Sequence, residues 1–347
     1  MRTRIIPTLG LRLLYCFGKV PYPIREYTMP KPDISVSIVN YNSTEFLLRC
    51  LHSIEKQSTN LFIETLIADN SSKDFDPEQI YQIVPHASVT VNRQNKGFAY
   101  AHNQNFAHST SDYFLLLNPD TILTDGSLHG IIDIFARFRN VAIVGPGLLS
   151  STGKHLENVK SFPTITSAFF ELLLFRSAPT KPHSANTFLR ATHQRYVECI
   201  NGAALAVRSH VYKSLSGLDP LFFMYFEEVD FCKRLRESTP YKIVSLPGIK
   251  VFHYHGRSSI QTDVRQTVYY ESYYRYFKKH HCLKTSLFIR GIIILNSMVR
   301  LLGIQVKYFP IISGWQSYSN KTLSTFRLLL WGFGLRKSSR LSSECNK

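Results

Sequence analysis

A doubly covered α/β sheet of parallel βαβ units is the fold class that this sequence predicts. Two observations carry that reading. Short, continuous apolar runs alternate with helix-length amphipathic stretches through the first half of the chain, which is the pattern of strands joined by crossover helices. Polar and acidic residues also sit immediately past the ends of those runs, where ligands of such sheets collect.

The elements follow in order. Ile34 to Asn40 (ISVSIVN) reads as a strand, and Thr44 to Gln57 as a helix carrying Phe46, Leu47, Cys50, Leu51 and Ile54 on one face. Phe62 to Asp69 is a second strand, ASVTVN from Ala87 a third, FAYAHNQNFAHS from Phe98 a helix, DYFLLLN ending at Asn118 a fourth strand and VAIVGP from Val141 a fifth. The stretch from Leu148 to Arg195 is irregular, with an apolar island, SAFFELLLF, and a loop-like run, SAPTKPHSANT. Strand character resumes in VECINGAALAVR; FEEVDFCKRLRE reads as a helix that opens with acids, which suits the positive end of its dipole. YKIVSLP and IKVFHYH are read as two further strands, followed by a Tyr-rich helix from Asp263 to His281.

The chain has 347 residues, 44% hydrophobic and 19% charged, which is enough apolar material for a packed core and excludes a disordered protein. Forty-one Lys and Arg against 24 Asp and Glu give +17, a balance that favours an anionic partner without choosing among nucleic acid, membrane surface and phosphorylated substrate. The cysteines at 16, 50, 199, 232, 282 and 345 include no Cys-x-x-Cys pair, so free thiols in a reducing compartment are expected. Residues 1–32 read as a basic, non-secretory N-terminal extension, 33–282 as the main domain, 283–335 as an amphipathic or apolar helical region and 336–347 as a disordered basic tail.

Three clusters could carry chemistry. Asp120 follows a buried strand and Pro119; a lone acid there suits a hard divalent cation that completes its shell with phosphates and water, while a turn or helix-cap acid is the plainer reading in isolation. Glu227, Glu228 and Asp230 crowd the start of one helix behind four aromatics and a methionine. Apolar walls can raise a carboxyl pKa and make it a base; the competing reading is a solvated helix start partnered by Lys233 and Arg234. His253 ends a strand in VFHYHGRSS, where it reads as a metal ligand or as a structural turn histidine.

Taken together, VSIVNYNSTEFLLRCLHSI, IADNSSKD, NKGFAYAHNQNF, YFLLLNPDTIL, NGAALAVRSHVYKSLSGLDPLFFMYFEEVDFCKRL and HYHGRSS, in that order, resemble the family 2 glycosyltransferases, in particular a bacterial rhamnosyltransferase-like branch. The resemblance covers about Ile34 to His281. It implies a GT-A fold, a single nucleotide-binding, Rossmann-like domain with a mixed central sheet, here with a C-terminal helical extension. It also implies inverting transfer of a sugar from a nucleotide diphosphate. The donor would be held by Asn40, Tyr41, Asp69, Gly97, Asn103, Asn118 and Asp120, with Asn201, Gly202 and Glu227 on the acceptor side. Asp120 and His253 would hold Mg²⁺ or Mn²⁺, with Asn118 at the first position of the family's metal motif. The family's Glu-Asp-x-Asp reads here as EEVD, so Glu228 stands where the catalytic Asp is expected. Glu228 is the favoured base, with Asp230 as the alternative.

The branch suggests dTDP-rhamnose as donor, with UDP-linked sugars also open, and a glycan or polyprenyl-linked acceptor in cell-surface polysaccharide synthesis. An oxidoreductase is disfavoured because the first turn, VNYNSTEF, lacks glycine. A nucleic-acid-binding role is disfavoured because the basic residues are spread out and no recognition motif appears. A catalytically impaired relative acting as a scaffold stays open because of EEVD. No run of 18 uncharged apolar residues marks a spanning helix. From Ser286 to Lys307, Arg290, Asn296, Ser297, Arg300 and Lys307 share a polar arc of about 120°, so this helix is expected either in the plane of an anionic membrane surface or packed on a protein surface. A peripheral location on the cytoplasmic face of the membrane is the corresponding expectation.

Overall fold

The structure, a computed structural model, describes residues 30–173, 195–254, 262–308 and 315–335. The expected basic extension at 1–32, apart from its last three residues, and the basic tail at 336–347 lie outside the described residues, as does the whole SAPTKPHSANT run. From Lys31 onward the chain forms one compact unit.

The first half runs β1 (Ile34–Asn40), α1 (Thr44–Glu55), β2 (Ile63–Asp69), α2 (Pro77–Tyr81), β3 (Ser88–Val91), α3 (Phe98–Phe106), β4 (Tyr113–Leu117), β5 (Thr121–Leu123), α4 (Ser127–Arg137) and β6 (Val141–Leu149). After it come β7 (His155–Leu156), β8 (Val159–Lys160), α5 (Ile165–Leu173), β9 (Arg195–Tyr196), β10 (Cys199–Ile200), β11 (Ala204–Arg208), α6 (Ser209–Ser214), α7 (Glu227–Ser238), β12 (Lys242–His253), α8 (Thr262–His280), α9 (Leu283–Tyr308) and α10 (Trp315–Gly332).

The central sheet has the order β3-β2-β1-β4-β11-β6-β12-β5. β1 to β4 pair in parallel, and β11 inserts antiparallel between β4 and β6, so the sheet is mixed. Alternation along β4 shows why its apolar run is continuous: Leu115 and Leu117 face the core under α1 and α4, while Phe114 and Leu116 face the core that includes Tyr212, Phe231 and Tyr273. A strand covered on both faces has no polar side to show.

Two expected elements differ. YKIVSLP and IKVFHYH form one strand, β12, with an irregularity between Leu246 and Lys250. Pro247 has no N–H to give to the ladder, so the strand bulges there without ending. VECINGAALAVR is interrupted: β10 and β11 are separated by a turn at Asn201–Ala203, and that turn belongs to the site.

The C-terminal helices share the main core. Ile289, Ile292 and Ile293 of α9 and Leu328 and Trp331 of α10 join the same buried cluster as Phe226, Tyr273 and Phe277. The polar arc expected on α9 turns inward: Asn296 and Ser297 are buried, Asn296 Nδ2 donates to the Leu172 carbonyl, and Arg290 Nε donates to the Gly332 carbonyl at 2.8 Å. The stretch Leu283–Leu302 is long and apolar enough to cross a membrane by length and composition, but one side of it is occupied by protein.

Candidate active site

Three strand ends bring the donor-side residues together. In register, Asn40 lies beside Asp69 and Asp69 beside Val91, so the carboxyl ends of β1 to β3 form one edge. Asn40 is fully buried, donating to Asp69 Oδ1 at 2.8 Å and accepting from Ser43 Oγ at 2.8 Å. Asp69 in turn accepts from the Ser72 amide at 2.8 Å and the Ser72 hydroxyl at 2.5 Å. These bonds knit the turn after β1, which contains Tyr41, to the turn after β2.

Gly97 is required where it stands. Its φ is +91°, and a Cβ there would lie 2.4 Å from the Phe223 carbonyl oxygen. With no side chain in the way, the Phe98 amide reaches that carbonyl at 2.8 Å, fixing the start of α3 against the aromatic segment before α7. Asn103 is committed to the same task. Its Nδ2 donates to the Leu218 carbonyl at 2.7 Å, and its Oδ1 accepts from the Tyr212 hydroxyl at 2.6 Å and the Leu218 amide at 3.0 Å.

At the end of β4 the chain turns through Asn118, Pro119 and Asp120. The Asn118 carbonyl accepts from the Thr121 hydroxyl at 2.7 Å, and the Asp120 carbonyl accepts from the Tyr254 amide at 2.9 Å. His253 closes β12, which pairs with β5 so that His253 sits opposite Thr121. The result brings His253 Nε2 to 3.2 Å from Asp120 Oδ1 and 3.4 Å from Asn118 Nδ2. A carboxylate and an imidazole nitrogen at one largely buried edge form a donor pair that fits a divalent cation with substrate oxygens filling the remaining positions. Among the described residues no group of three or more His, Cys, Asp and Glu is arranged to hold a metal ion, so protein alone would not close that shell.

The acid cluster is buried, not solvated. Tyr225 and Phe226 adopt left-handed backbone, φ +70° and +68°, a conformation that costs of order 1 kcal/mol or more for such side chains. Packing of Phe226 against Tyr269, Tyr273 and Tyr276 holds it in place. The turn delivers Glu227 and Glu228 at the first two positions of α7, each 5% exposed.

The three acids then diverge in role. Asp230 is enclosed by Arg234 Nε at 2.8 Å, Lys279 Nζ at 2.8 Å and His280 Nε2 at 2.7 Å. Burial pushes its pKa up, but the His280, Arg234 and Lys279 contacts outweigh that and hold it at about 2. Arg234 also donates to the carbonyls of Leu215 and Gly217, so Asp230 anchors the loop that leads into the aromatic segment. Glu228 Oε1 accepts from Lys160 Nζ at 2.8 Å. Glu227 has its pKa pushed well up, first by burial and then by the neighbouring Glu228. Among the described residues Glu227 Oε2 and Glu228 Oε2 are buried with no hydrogen-bond partner, two polar atoms unsatisfied within the protein.

Asn201, Gly202 and Ala203 join the two halves. The Asn118 amide donates to the Ala203 carbonyl at 2.9 Å. A Cβ on Gly202 would lie 3.6 Å from Glu228 Cβ and 3.8 Å from Phe98 Cε1. Asn201 Oδ1 accepts from the Ala203 amide at 3.0 Å, closing the turn. The metal-type edge and the acid pair are thus rigidly related.

Sequence reasoning missed Lys160, which lies in an irregular stretch where no periodicity marks it. It also missed Lys279 and His280, whose link to Asp230 is made only when α8 packs on α7. The Arg234 pairing was foreseen, but as a surface pair.

The glycosyl transferase family 2 model matches residues 35–200. The chain is 25% identical over 241 residues to an N-acetylglucosaminyl-diphospho-decaprenol L-rhamnosyltransferase of Mycobacterium tuberculosis, covering 65% of this chain and 77% of that protein. It is 22% identical over 232 residues to the rhamnosyltransferase WbbL of Escherichia coli, covering 64% and 83%. Among solved structures it is similar to the mannosyltransferase PcManGT from Pyrobaculum calidifontis in complex with GDP-Man and Mn²⁺, with TM-score 0.51, 12% identity and coverage of 87% and 88%. It is also similar to GalNAc-T7 with UDP, GalNAc and Mn²⁺, with TM-score 0.58, 14% identity and coverage of 91% of this chain and 58% of that one. Residues 35–200, just under half of the chain, therefore match the family 2 glycosyltransferase model, and the fold is GT-A, with rhamnosyltransferases among the proteins the chain resembles.

Proposed function

We propose that this protein is an inverting glycosyltransferase that uses Glu228 as its base and a divalent metal held by Asp120 and His253. The observation that carries this reading is the pair of adjacent buried carboxylates, one salt-bridged to Lys160 and the other with its pKa pushed well up, fixed to the Asp120–His253 edge through residues 201–203. Glu228, ion-paired with Lys160, is placed to act as the base, and Glu227, with its pKa pushed up, as a proton-bearing hydrogen-bond donor.

In this reading the acceptor hydroxyl enters between Glu228 and the donor. Its oxygen forms a bond to the anomeric carbon as the bond from that carbon to the diphosphate oxygen breaks. The hydroxyl proton passes to Glu228. A single in-line displacement inverts the anomeric centre. Glu227, carrying its proton, donates a hydrogen bond to a sugar oxygen and so orients the acceptor. Bound Mg²⁺ or Mn²⁺ would neutralise charge on the departing nucleoside diphosphate. The β1 and β2 turns, with Tyr41 and Asp69, lie at the edge that receives the nucleoside; Gly97 and Asn103 act by holding α3 against residues 218–223 rather than by contact with the donor.

A relative named for rhamnosyl transfer to a decaprenyl-linked sugar supports dTDP-rhamnose as the first donor to test, UDP-linked sugars as the second, and a glycan or polyprenyl-linked glycan as acceptor. Work on such an acceptor places the protein at the cytoplasmic face of a membrane, in cell-surface polysaccharide synthesis. The experiment is a panel of nucleotide sugars with Mg²⁺ or Mn²⁺, scored for nucleoside diphosphate release. One donor should stand out, and Glu228→Gln should abolish most of its turnover. The glutamate in place of aspartate at 228 also favours a second reading, a catalytically impaired scaffold; absence of donor turnover and donor hydrolysis across the panel would favour it.

A further inference from the structure

We infer that the outward face of α9 and α10 is a lipid-docking surface that lies in the plane of an anionic bilayer, with the polar arc of α9 turned into the protein and its apolar side turned out. The assignment goes beyond the proposed transfer reaction and can stand or fall independently of it.

The geometry is an inversion of the usual surface helix. On α9 the buried positions are Ser286, Ile289, Ile292, Ile293, Asn296 and Ser297, which recur at three- and four-residue spacing and so share one side. The opposite side exposes Leu283, Leu287, Leu295, Met298 and Leu302, with Leu287 at 52% and Leu302 at 68%. From Leu283 to Leu302 this row is about 30 Å long at the rise of an α-helix. α10 packs beside α9 closely enough that a Cβ on Gly332 would lie 2.6 Å from Ile294 Cγ1; it exposes Leu323 and Phe326, and Phe333 just past its end is exposed too. Two adjoining helices with apolar outer positions exceed the scattered hydrophobics that a protein surface normally shows.

Charge selects the occupant. Between Lys278 and Lys347 the sequence holds twelve lysines and arginines and one acid, Glu344; Lys279, Arg290 and Arg300 are engaged with protein partners, which leaves nine others. A second copy of the chain seated on this face would set two such cationic regions against each other. A bilayer carrying anionic headgroups accepts the apolar row into its acyl boundary and the flanking cations, such as exposed Lys278 and Lys284, at its surface. Spanning is disfavoured because the inward side of α9 is bonded to its own domain through Asn296 and Arg290.

Flotation of the purified full chain with phosphatidylcholine vesicles, with and without phosphatidylglycerol, tests the assignment. The wild-type protein should float with the anionic vesicles and much less with the neutral ones. The triple variant L287Q/L295Q/L302Q should lose at least ~10-fold in vesicle-bound fraction while keeping its circular dichroism and melting temperature, since all three side chains are solvent-facing. As a measurement independent of that variant, an environment-sensitive dye on Leu295→Cys should shift to the blue on vesicle addition, and one on Val91→Cys at the sheet edge should not. Four outcomes would overturn the inference: equal flotation of wild type and triple variant; no flotation of the wild type; a dimer in solution that the triple variant converts to monomer without vesicle binding; or α9 resisting alkaline extraction and protease as a spanning segment does. Because the readouts need no sugar donor, failure here leaves the transfer reading untouched, and failure of transfer leaves this one.

Discussion

Lys160 donates to Glu228 at 2.8 Å from a two-stranded ribbon that stands apart from the central sheet. Its side chain is 41% exposed while that of Glu228 is 6% exposed, so the contact links a solvent-facing cation to a buried carboxylate. One oxygen of Glu228 is fixed by the lysine and the other is left without a partner. The proposed base is thereby held in one orientation, with its second oxygen buried and unpaired among the described residues.

Removing the base without changing its size should stop the reaction and spare the fold. Glu228→Gln is expected to lower kcat by ~10²–10⁴-fold, the range of a positioned general base, with donor affinity retained. Single-turnover kinetics and donor binding by calorimetry check this.

Lys160 should behave as a positioning residue. Lys160→Met is expected to lower kcat by roughly 10-fold or more with little change in donor KM, and Lys160→Arg should recover part of the loss, because the remaining function is that of a cation at fixed distance. The effect on stability should stay within ~1 kcal/mol, since the lysine is partly solvated. A loss of stability in place of kcat would assign the lysine a structural role.

Asp230 should matter for folding more than for the chemical step. Asp230→Asn leaves Arg234, Lys279 and His280 without their shared anion, a change of ~3–5 kcal/mol when a buried pair is broken. The wild-type pH dependence follows from the same cage. Asp230 is held at about 2 against an ordinary 3.8, so its stabilisation is fully present above 3.8 and is lost as pH falls through 2. The difference corresponds to about 2 kcal/mol. Urea denaturation between pH 2 and 5, compared for wild type and Asp230→Asn, should show this acid-limb slope only in the former.

Gly97→Ala should damage the site from outside it. The new methyl would meet the Phe223 carbonyl, and φ at +91° is already unfavourable for alanine. Gly153→Ala is the control, because Gly153 also has positive φ, +78°, but has open space around it. The control should cost about 1 kcal/mol of backbone strain. Gly97→Ala should cost clearly more and should also reduce turnover, read as melting temperature and nucleoside diphosphate release.

The proposed metal dependence would rest on Asp120 and His253. Asp120→Ala should abolish turnover at ordinary Mn²⁺ concentrations and remove Mn²⁺ binding seen by electron paramagnetic resonance. His253→Ala should weaken Mn²⁺ binding by ~10–100-fold, the usual effect of altering a ligand shell. Near-normal turnover in Asp120→Ala would exclude the assignment.

The sequence by itself determined the sheet and its working edge. Runs such as Ile34–Asn40 and Tyr113–Leu117 are apolar throughout because both faces are covered, and the polar residues that follow them must lie at the carboxyl ends of parallel strands. That was enough to put Asp69, Asp120 and the Asn40–Asn42 turn at strand ends, and the chemistry of EEVD was enough to mark the acid cluster. Tertiary structure decided how the acids divide. Glu228 and Asp230 are two residues apart and look alike in sequence; Lys160 from a distant ribbon meets one, and Lys279 and His280 of α8 enclose the other. It also decided the orientation of α9. Helical periodicity locates a polar arc and an apolar arc but does not say which one meets the protein. Here hydrogen bonds from Asn296 and Arg290 to backbone carbonyls hold the polar arc inside, which leaves the apolar arc outward. Local pattern fixes which residues share a face, whereas the partner of that face is set by contacts between segments far apart in the chain.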